Sequence, residues 1–412
     1  MKYDIAFLTN MFPQQTAEEY ARLGFGQGGA NITYIQTALI HGLEQASGTC
    51  CHIINKALIR GKGGPVPTLY WNHALQQSRQ DVSFGYLNKP VFSSNLLFHY
   101  SKKHLKRWLG QIDGQGILIA YGATNHNYQA LTYAKKRRPD IVTGLIVPDL
   151  PENTKAYGKS RLMDLKNRIT NYLTRRSFRR SAACIDVFFP FSAHMCDALQ
   201  CWDRYRVLEG IATDTFAGIT PRRDFDESKR IVLYGGGLNK AYGLDILLDA
   251  FGQIADPDYR LVLCGNGDYV PTIKQAMERD GRICYLGTIP REELLALQLG
   301  ADVLVNPRNN QQIFSNYSFP SKNMEYLSSG VPFVGFKLGG IPDEYDPYIT
   351  YPREETPQAL ADALLWVCRE GREQALARAA QAREFVLSHK NKYAQAQRIL
   401  DKMAALCGKE CE

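Results

Sequence analysis

Phe319-Pro320-Ser321-Lys322-Asn323-Met324-Glu325-Tyr326-Leu327-Ser328-Ser329-Gly330-Val331-Pro332 decides how this chain is read. Pro320 and Ser321 open a helix and Gly330 closes it. An apolar strand, Val331 to Phe336, follows at once, then the turn Gly339-Gly340-Ile341-Pro342. A helix start and a glycine-rich turn both present free backbone N–H groups, and such groups suit a diphosphate. Ser321 and Lys322 stand at that helix start. Glu325 lies one turn further in, where its carboxylate fits a sugar hydroxyl or a ribose. The plainer reading of Glu325 is an i,i+3 ion pair with Lys322.

Outward from this segment, strand-like runs alternate with helical patterns. Ile5–Leu8, Cys51–Ile54, Gly116–Tyr121, Ile141–Val147 and Val187–Pro190 read as buried strands in the first half. Ile231–Tyr234, Arg260–Cys264, Cys284–Leu286, Val303–Asn306 and Pro332–Phe336 do so in the second. Helical patterns lie between them at Asn31–Glu44, Tyr128–Lys136, Asp245–Ile254, Arg291–Gly300 and Thr356–Arg369. The alternation predicts an α/β fold with parallel, doubly wound sheets. The 412 residues suit two such sheets better than one. The polar stretch Thr220–Arg230 is the expected link. In such sheets a ligand sits beyond the carboxyl ends of the strands, so a cleft between two domains is the expected site.

Glycine-rich turns fall at those ends. Gly24-Phe25-Gly26-Gln27-Gly28-Gly29-Ala30 precedes a helix, and Tyr234-Gly235-Gly236-Gly237-Leu238-Asn239-Lys240 follows the first strand of the second half. Neither is a GxxxxGK[ST], and although Gly24, Gly26 and Gly29 have GxGxxG spacing they lie well past Leu8 rather than directly at the strand end, which argues against a P-loop NTPase or a dinucleotide enzyme. One such turn is ordinary packing; several at strand ends in both halves point to phosphate. His126, in Gly122-Ala123-Thr124-Asn125-His126-Asn127, also follows a strand. It is either an acceptor-site residue or a plain loop histidine.

Composition excludes several classes. Hydrophobic content of 45% and charged content of 22% are those of a globular chain. No run approaches the ~18 apolar residues that span a bilayer. The start, Met1-Lys2-Tyr3-Asp4, reads as a first strand, not a signal peptide. The cysteines scatter without zinc spacing and read as reduced core thiols of a cytosolic protein. The net charge of +8 is concentrated in Lys102–Arg107 and in the run Lys155–Arg180. Apolar residues (Leu162, Leu165, Ile169, Tyr172, Leu173) recur through the second cluster near helical spacing. It is either a solvated helix face or a face for anionic lipid, where each cation gains about 1 kcal/mol. No aromatic-interleaved basic strand supports nucleic acid.

The order of these features resembles the retaining glycosyltransferases of the GT-B fold, family 4, in the bacterial polysaccharide-biosynthesis type. Gly28-Gly29-Ala30 is similar to the family's N-lobe glycine loop near the donor diphosphate. Gly236-Gly237-Leu238 through Gly243-Leu244 is similar to the start of its C-lobe. Leu263-Cys264-Gly265-Asn266-Gly267 and Gly287-Thr288-Ile289-Pro290 match the segments that follow, and Gly265 and Ile289 are thereby placed near the nucleotide base. Glu325 matches the second glutamate of the family's E-x7-E motif; Tyr317 stands where the first would be. The family's diphosphate Arg and Lys align with Gly237 and Tyr242, leaving Lys240, Arg308 and Lys322 as the available cations, with Asn239 beside them. A family histidine aligns with Pro148, and the neighbouring Asp149 is retained. Asp149 is either catalytic or a cap or turn residue.

The resemblance implies two Rossmann-like domains facing a cleft. They are an acceptor domain over residues 1–215 and a donor domain over 216–390, with a helix over 391–412 crossing back to the first. It implies transfer of a hexose from a nucleotide-sugar, UDP-sugar favoured and GDP-sugar possible, to a glycan or lipid-linked acceptor. Lys240 and Glu325 join Asp149 as the catalytic set, with Ser321, Lys322, Gly339 and Gly340 on the donor. No metal is expected, since no DxD motif is placed for one, and no cofactor beyond the nucleotide-sugar. The location implied is cytoplasmic, at the inner face of the plasma membrane. The rival readings are a GT-B epimerase and a catalytically inactive binding or assembly subunit.

Overall fold

The strand Tyr3–Thr9 is buried from Asp4 onward and pairs in parallel on both sides, Ile5 opposite Ile117 and Ala6 opposite His52. A strand covered on both faces carries a continuous apolar run rather than an alternation, which is why Ile5-Ala6-Phe7-Leu8 is legible in the sequence. The computed structural model describes residues 2–27, 30–61, 64–71, 81–88, 93–150, 172–311, 315 and 317–407. Gly28, Gly29 and the cations of the basic run before residue 172 lie outside these.

The chain divides into two units, 1–209 with 392–412, and 210–391. In the first, seven strands are ordered Val187–Pro190, Val142–Val147, Gln115–Tyr121, Tyr3–Thr9, His52–Asn55, Asp81–Ser83 and Leu69–Trp71. All neighbours are parallel except the last pair. Helices Ala30–Ser47, Ser93–Leu109 and Asn125–Arg137 connect them. In the second, five parallel strands are ordered Ile283–Gly287, Tyr259–Asn266, Arg230–Gly237, Val303–Asn306 and Phe333–Gly335. Each strand there is followed by a helix, and Tyr234, Phe251, Tyr259 and Tyr326 fill the core between them.

The final helix, Lys392–Ala404, belongs to the first unit. It lies against Ala30–Ser47, and Gly42 is what lets it approach. A Cβ on Gly42 would stand 2.3 Å from the Lys392 carbonyl oxygen and 2.6 Å from Ala396 Cβ. Gly144 in the sheet likewise leaves room for the Met403 side chain. Gln395 and Arg398 reach the buried Glu209 carboxylate at 3.2 and 3.7 Å.

Thr220–Arg230 is not the link. Its charges are spent within the second unit. Arg222 pairs with Asp224 at 2.7 Å and with Glu293, and its N–H donates to Ala296 O. Arg223 reaches Gly300 O at 2.9 Å and Asp302 at 3.0 Å. The crossing falls at 209/210 rather than 215/216, because Ala212 N–H donates to Lys390 O at 2.7 Å and Ala212 pairs with Asn391. The nine described cysteines form no disulfide.

Candidate functional site

In the second unit the chain leaves strand Arg230–Gly237 to build Tyr259–Asn266 on one side and later Val303–Asn306 on the other. The sheet therefore switches direction at Arg230–Gly237, and a ligand belongs beyond the carboxyl ends of these strands. Gly236 and Gly265 end two of them with φ of +142° and +131°. A Cβ on Gly265 would lie 1.8 Å from Gly236 O, so only glycine lets the two ends close up.

Helix Ser321–Ser329 starts beside this point. A Cβ on Gly236 would stand 2.1 Å from Lys322 Nζ. The Lys322 ammonium lies 3.8 Å from the Tyr234 ring centroid. Enclosure first and the Arg308 charge second lower its pKa to about 7, with Glu325 opposing. Arg308 stacks 4.5 Å from the Tyr242 ring centroid. Gly243 keeps the Lys240–Tyr242 turn against Pro307 and Arg308, since a Cβ there would meet Pro307 O at 2.1 Å. Glycine backbone, two aromatic-backed cations and a helix start thus converge on one place. Two cations beside a glycine turn can receive a polyanion such as a diphosphate.

The other expected residues fall around this centre. Glu325 is half-buried and does not close the i,i+3 pair. Its carboxylate takes Arg291 at 2.9 Å and Gln298 Nε2 at 2.9 Å. Lys240 is exposed, its Nζ 3.9 Å from Asp245, while its N–H donates to Asp268. Asn239 is used locally, its Oδ1 accepting from Asp268 N–H at 3.1 Å. Tyr234 Oη donates to Gly237 O at 2.8 Å, so that carbonyl is already paired. Ser321 is exposed at the helix start. Gly340 packs on the Ser318 backbone, 2.3 Å from its carbonyl oxygen to an added Cβ. Gly339 does not offer a free N–H, because Asn310 Oδ1 accepts it at 3.1 Å. Ile289 is partly buried against the core just beyond Gly287, and Gly265 O accepts from Tyr285 Oη at 3.0 Å. Tyr317 is half-buried ahead of the helix.

In the first unit Asp149 is exposed after strand Val142–Val147. Burial first, and the Asp149 charge second, push the Tyr121 phenol up. His126 is not a loop residue. It sits in the first turn of Asn125–Arg137 with both ring nitrogens engaged, to Ser101 Oγ at 2.9 Å and Asn127 Oδ1 at 3.1 Å. Its pKa falls to about 4, by burial and then by the Lys56 charge, so the ring is neutral. Sequence reasoning missed Tyr234 and Tyr242 as cation supports and missed Lys56 altogether. An isolated lysine after an apolar strand carries no local signal. Among the described residues no cluster of His, Cys, Asp and Glu could hold a metal, and no helix is long and apolar enough to cross a membrane.

Comparison with known proteins bears on the family and the fold. Residues 219–385 match the model of the glycosyl transferases group 1. The chain is 30% identical over 124 residues to a D-inositol 3-phosphate glycosyltransferase of Corynebacterium aurimucosum, covering 27% of this chain and 28% of that protein. It is 27% identical over 154 residues to one of Corynebacterium glutamicum, 33% and 34% of the two chains. The match thus spans about a third or less of the curated relatives' length. Whole-chain likeness comes from solved structures. Sucrose-phosphate synthase from Thermosynechococcus elongatus superposes over 100% of both chains with a TM-score of 0.63 at 17% identity. The lipopolysaccharide outer core galactosyltransferase WaaB covers 98% of this chain and 100% of its own, with a TM-score of 0.59 at 12%. Anabaena HepE in complex with UDP covers 98% and 100%, with a TM-score of 0.55 at 14%. At such identities the likeness establishes the fold, that of the GT-B glycosyltransferases.

Proposed function

We infer that this chain, whose residues 219–385 form a group 1 glycosyl transferase domain, moves a glycosyl group from a nucleotide-sugar to a hydroxylated acceptor. The observation that carries this reading is the pair of cations, Lys322 on Tyr234 and Arg308 on Tyr242, over the glycine ends of the second sheet. A nucleoside diphosphate leaves as an anion, and preorganised cations and N–H groups favour that charge without a metal. Arg308 and Lys322 hold the diphosphate, and Glu325, fixed by Arg291 and Gln298, takes the nucleotide ribose. UDP is the favoured nucleotide, which the UDP complex of HepE supports.

The reaction we propose retains the anomeric configuration. The bond from the anomeric carbon to the diphosphate oxygen breaks, the acceptor oxygen bonds to that carbon on the same face, and its proton passes to the departing phosphate oxygen. Lys322, its pKa lowered to about 7, is driven to its charged form when the anion arrives. The acceptor is a glycan or lipid-linked glycan of cell-surface polysaccharide synthesis. An inositol phosphate is the alternative that the corynebacterial relatives suggest.

The location we propose is cytoplasmic, at an anionic membrane surface. A groove of about 640 Å3 in the first unit, lined among others by Phe98, Tyr133, Lys136, Leu173, Arg176 and Arg180, joins cations to apolar side chains as such a surface requires.

Tyr317 in place of a motif glutamate favours one second reading, a binding subunit without turnover. Stability measured against UDP, GDP, ADP and their sugars tests the first reading, because a ligand that binds only the folded chain raises its melting temperature. UDP-sugar stabilisation with slow donor hydrolysis is expected. Binding without hydrolysis or transfer supports the second reading, and no nucleotide response overturns both.

A further inference from the structure

The first unit has a switch point of its own. Strand Tyr3–Thr9 lies between His52–Asn55 and Gln115–Tyr121, so the chain departs to opposite sides there. Beyond the carboxyl ends of Tyr3–Thr9 and Gln115–Tyr121 is a cavity of about 170 Å3, lined by Asn10, Lys56, Tyr121, Thr124 and His126 among others. At ≈30 Å3 of liquid per water, it has room for roughly five waters, or for one tetrahedral oxyanion and a hydroxyl.

Among the described residues Lys56 is the only lysine or arginine in its lining. Its backbone N–H is fixed to Thr9 O at 2.9 Å, and its Nζ lies 5.6 Å from the Tyr86 ring centroid. No described carboxylate pairs with it. Burial lowers its pKa. An enclosed cation without a counter-charge is unfavourable unless a ligand supplies one. The other walls favour the same charge. Helix Asn125–Arg137 starts at the cavity, with Thr124 as its N-cap, and brings its positive end there. His126 cannot compete as a cation, since its ring is neutral and both nitrogens are bonded within the protein. Asn10 Oδ1 is buried without a hydrogen-bond partner and waits for a donor such as a hydroxyl.

We propose that this cavity is an oxyanion subsite, which takes a phosphate or carboxylate group carried by the hydroxylated acceptor. Lys56 supplies the counter-charge, the positive end of helix Asn125–Arg137 adds to it, and Asn10 receives an adjacent hydroxyl. The word acceptor rests on the transferase reading; the anion subsite does not.

The test uses inorganic phosphate and, separately, acetate on the full chain, read by melting temperature and by acylation of individual lysines followed by mass spectrometry. Phosphate should raise the melting temperature of the wild type and of Lys322→Met, whose donor site has lost one of its two cations, and the rise in Lys322→Met should shrink several-fold when Lys56→Met is added to it. In the wild type it should slow acylation of Lys56 several-fold. A response to acetate as strong as that to phosphate assigns the subsite to carboxylates; a response to phosphate alone assigns it to phosphoryl groups. If Lys56→Met fails to fold, the acylation of the wild type decides. A response of Lys322→Met that is unchanged when Lys56→Met is added, or a response that vanishes in Lys322→Met alone, overturns the proposal, as does unprotected Lys56. Protection of Lys56 in a chain that ignores UDP would uphold the subsite and sink the donor reading.

Discussion

Lys322 gathers the electrostatics of the second unit into one ammonium group. Its pKa falls from 10.5 to about 7 in the fold. Between those values the unfolded chain holds a proton that the native chain lacks, so stability rises with pH across that window. Below about pH 7 the native ammonium is charged and the full penalty applies. Lys322→Met should therefore be more stable than the wild type near pH 6 and lose the advantage toward pH 10.5. Urea midpoints at several pH values check this. A bound diphosphate should reverse the shift, so UDP binding near pH 8 should take up protons. Calorimetry in buffers of different ionisation enthalpy reads that uptake, and its absence would remove Lys322 from the diphosphate. Glu325 acts beside it by hydrogen bonding. Glu325→Ala should weaken nucleotide binding by roughly 1.5–3 kcal/mol, the worth of a charge-assisted bond to a ribose hydroxyl. Unchanged affinity in a folded Glu325→Ala protein would detach this carboxylate from the ribose.

At the scale of elements, the strand ends and one helix contact hold the architecture through missing side chains. Gly265→Ala adds a Cβ against the Gly236 carbonyl, a backbone atom that cannot turn away, and at φ +131° it is strained as well. A loss of about 1–3 kcal/mol from each source is expected in denaturant unfolding. Gly236→Ala meets instead the tip of Lys322, which can swing aside. It should lose less stability than Gly265→Ala and more nucleotide affinity, a contrast that paired unfolding and binding titrations resolve. In the first unit Gly42→Val pushes on the Lys392 carbonyl. We expect the helix Lys392–Ala404 to loosen, seen as early proteolytic cleavage after residue 391 and about 1–3 kcal/mol less stability. Resistance equal to the wild type would mean that this helix does not need its close approach.

At the scale of the whole molecule, the +8 charge is the quantity that speaks of partners. Its described part includes Arg175, Arg176, Arg179 and Arg180 on the helix over 172–181, with Tyr172 and Leu173 exposed beside them. If this face meets anionic lipid, the attraction is screened over about 8 Å at physiological salt. The chain should float with anionic vesicles at low salt, less so as salt rises, and not with neutral ones. Flotation indifferent to lipid charge would leave the cations as a solvated face.

The sequence by itself determined the α/β alternation and both parallel sheets, because strands buried on two faces must be apolar throughout and Val303–Asn306 or Val187–Pro190 can be nothing else. It also marked the helix from Ser321 to Ser329 through Pro320 and Gly330, which act on their own backbone. Leu69–Trp71 and Asp81–Ser83 escaped notice, for three residues are too few to show a period. The link at Thr220–Arg230 misled because charge suggests solvent, whereas Arg222 and Arg223 find Glu293 and Asp302 some 70 residues onward. Only the tertiary structure decided that Lys322 rests on Tyr234 and Arg308 on Tyr242, that Gly339 spends its N–H on Asn310, and that Lys56 faces a cavity beside His126. Local patterning reports on a residue's own backbone and burial. Which distant groups share a desolvated space is settled by strand order, and strand order is a property of the folded chain.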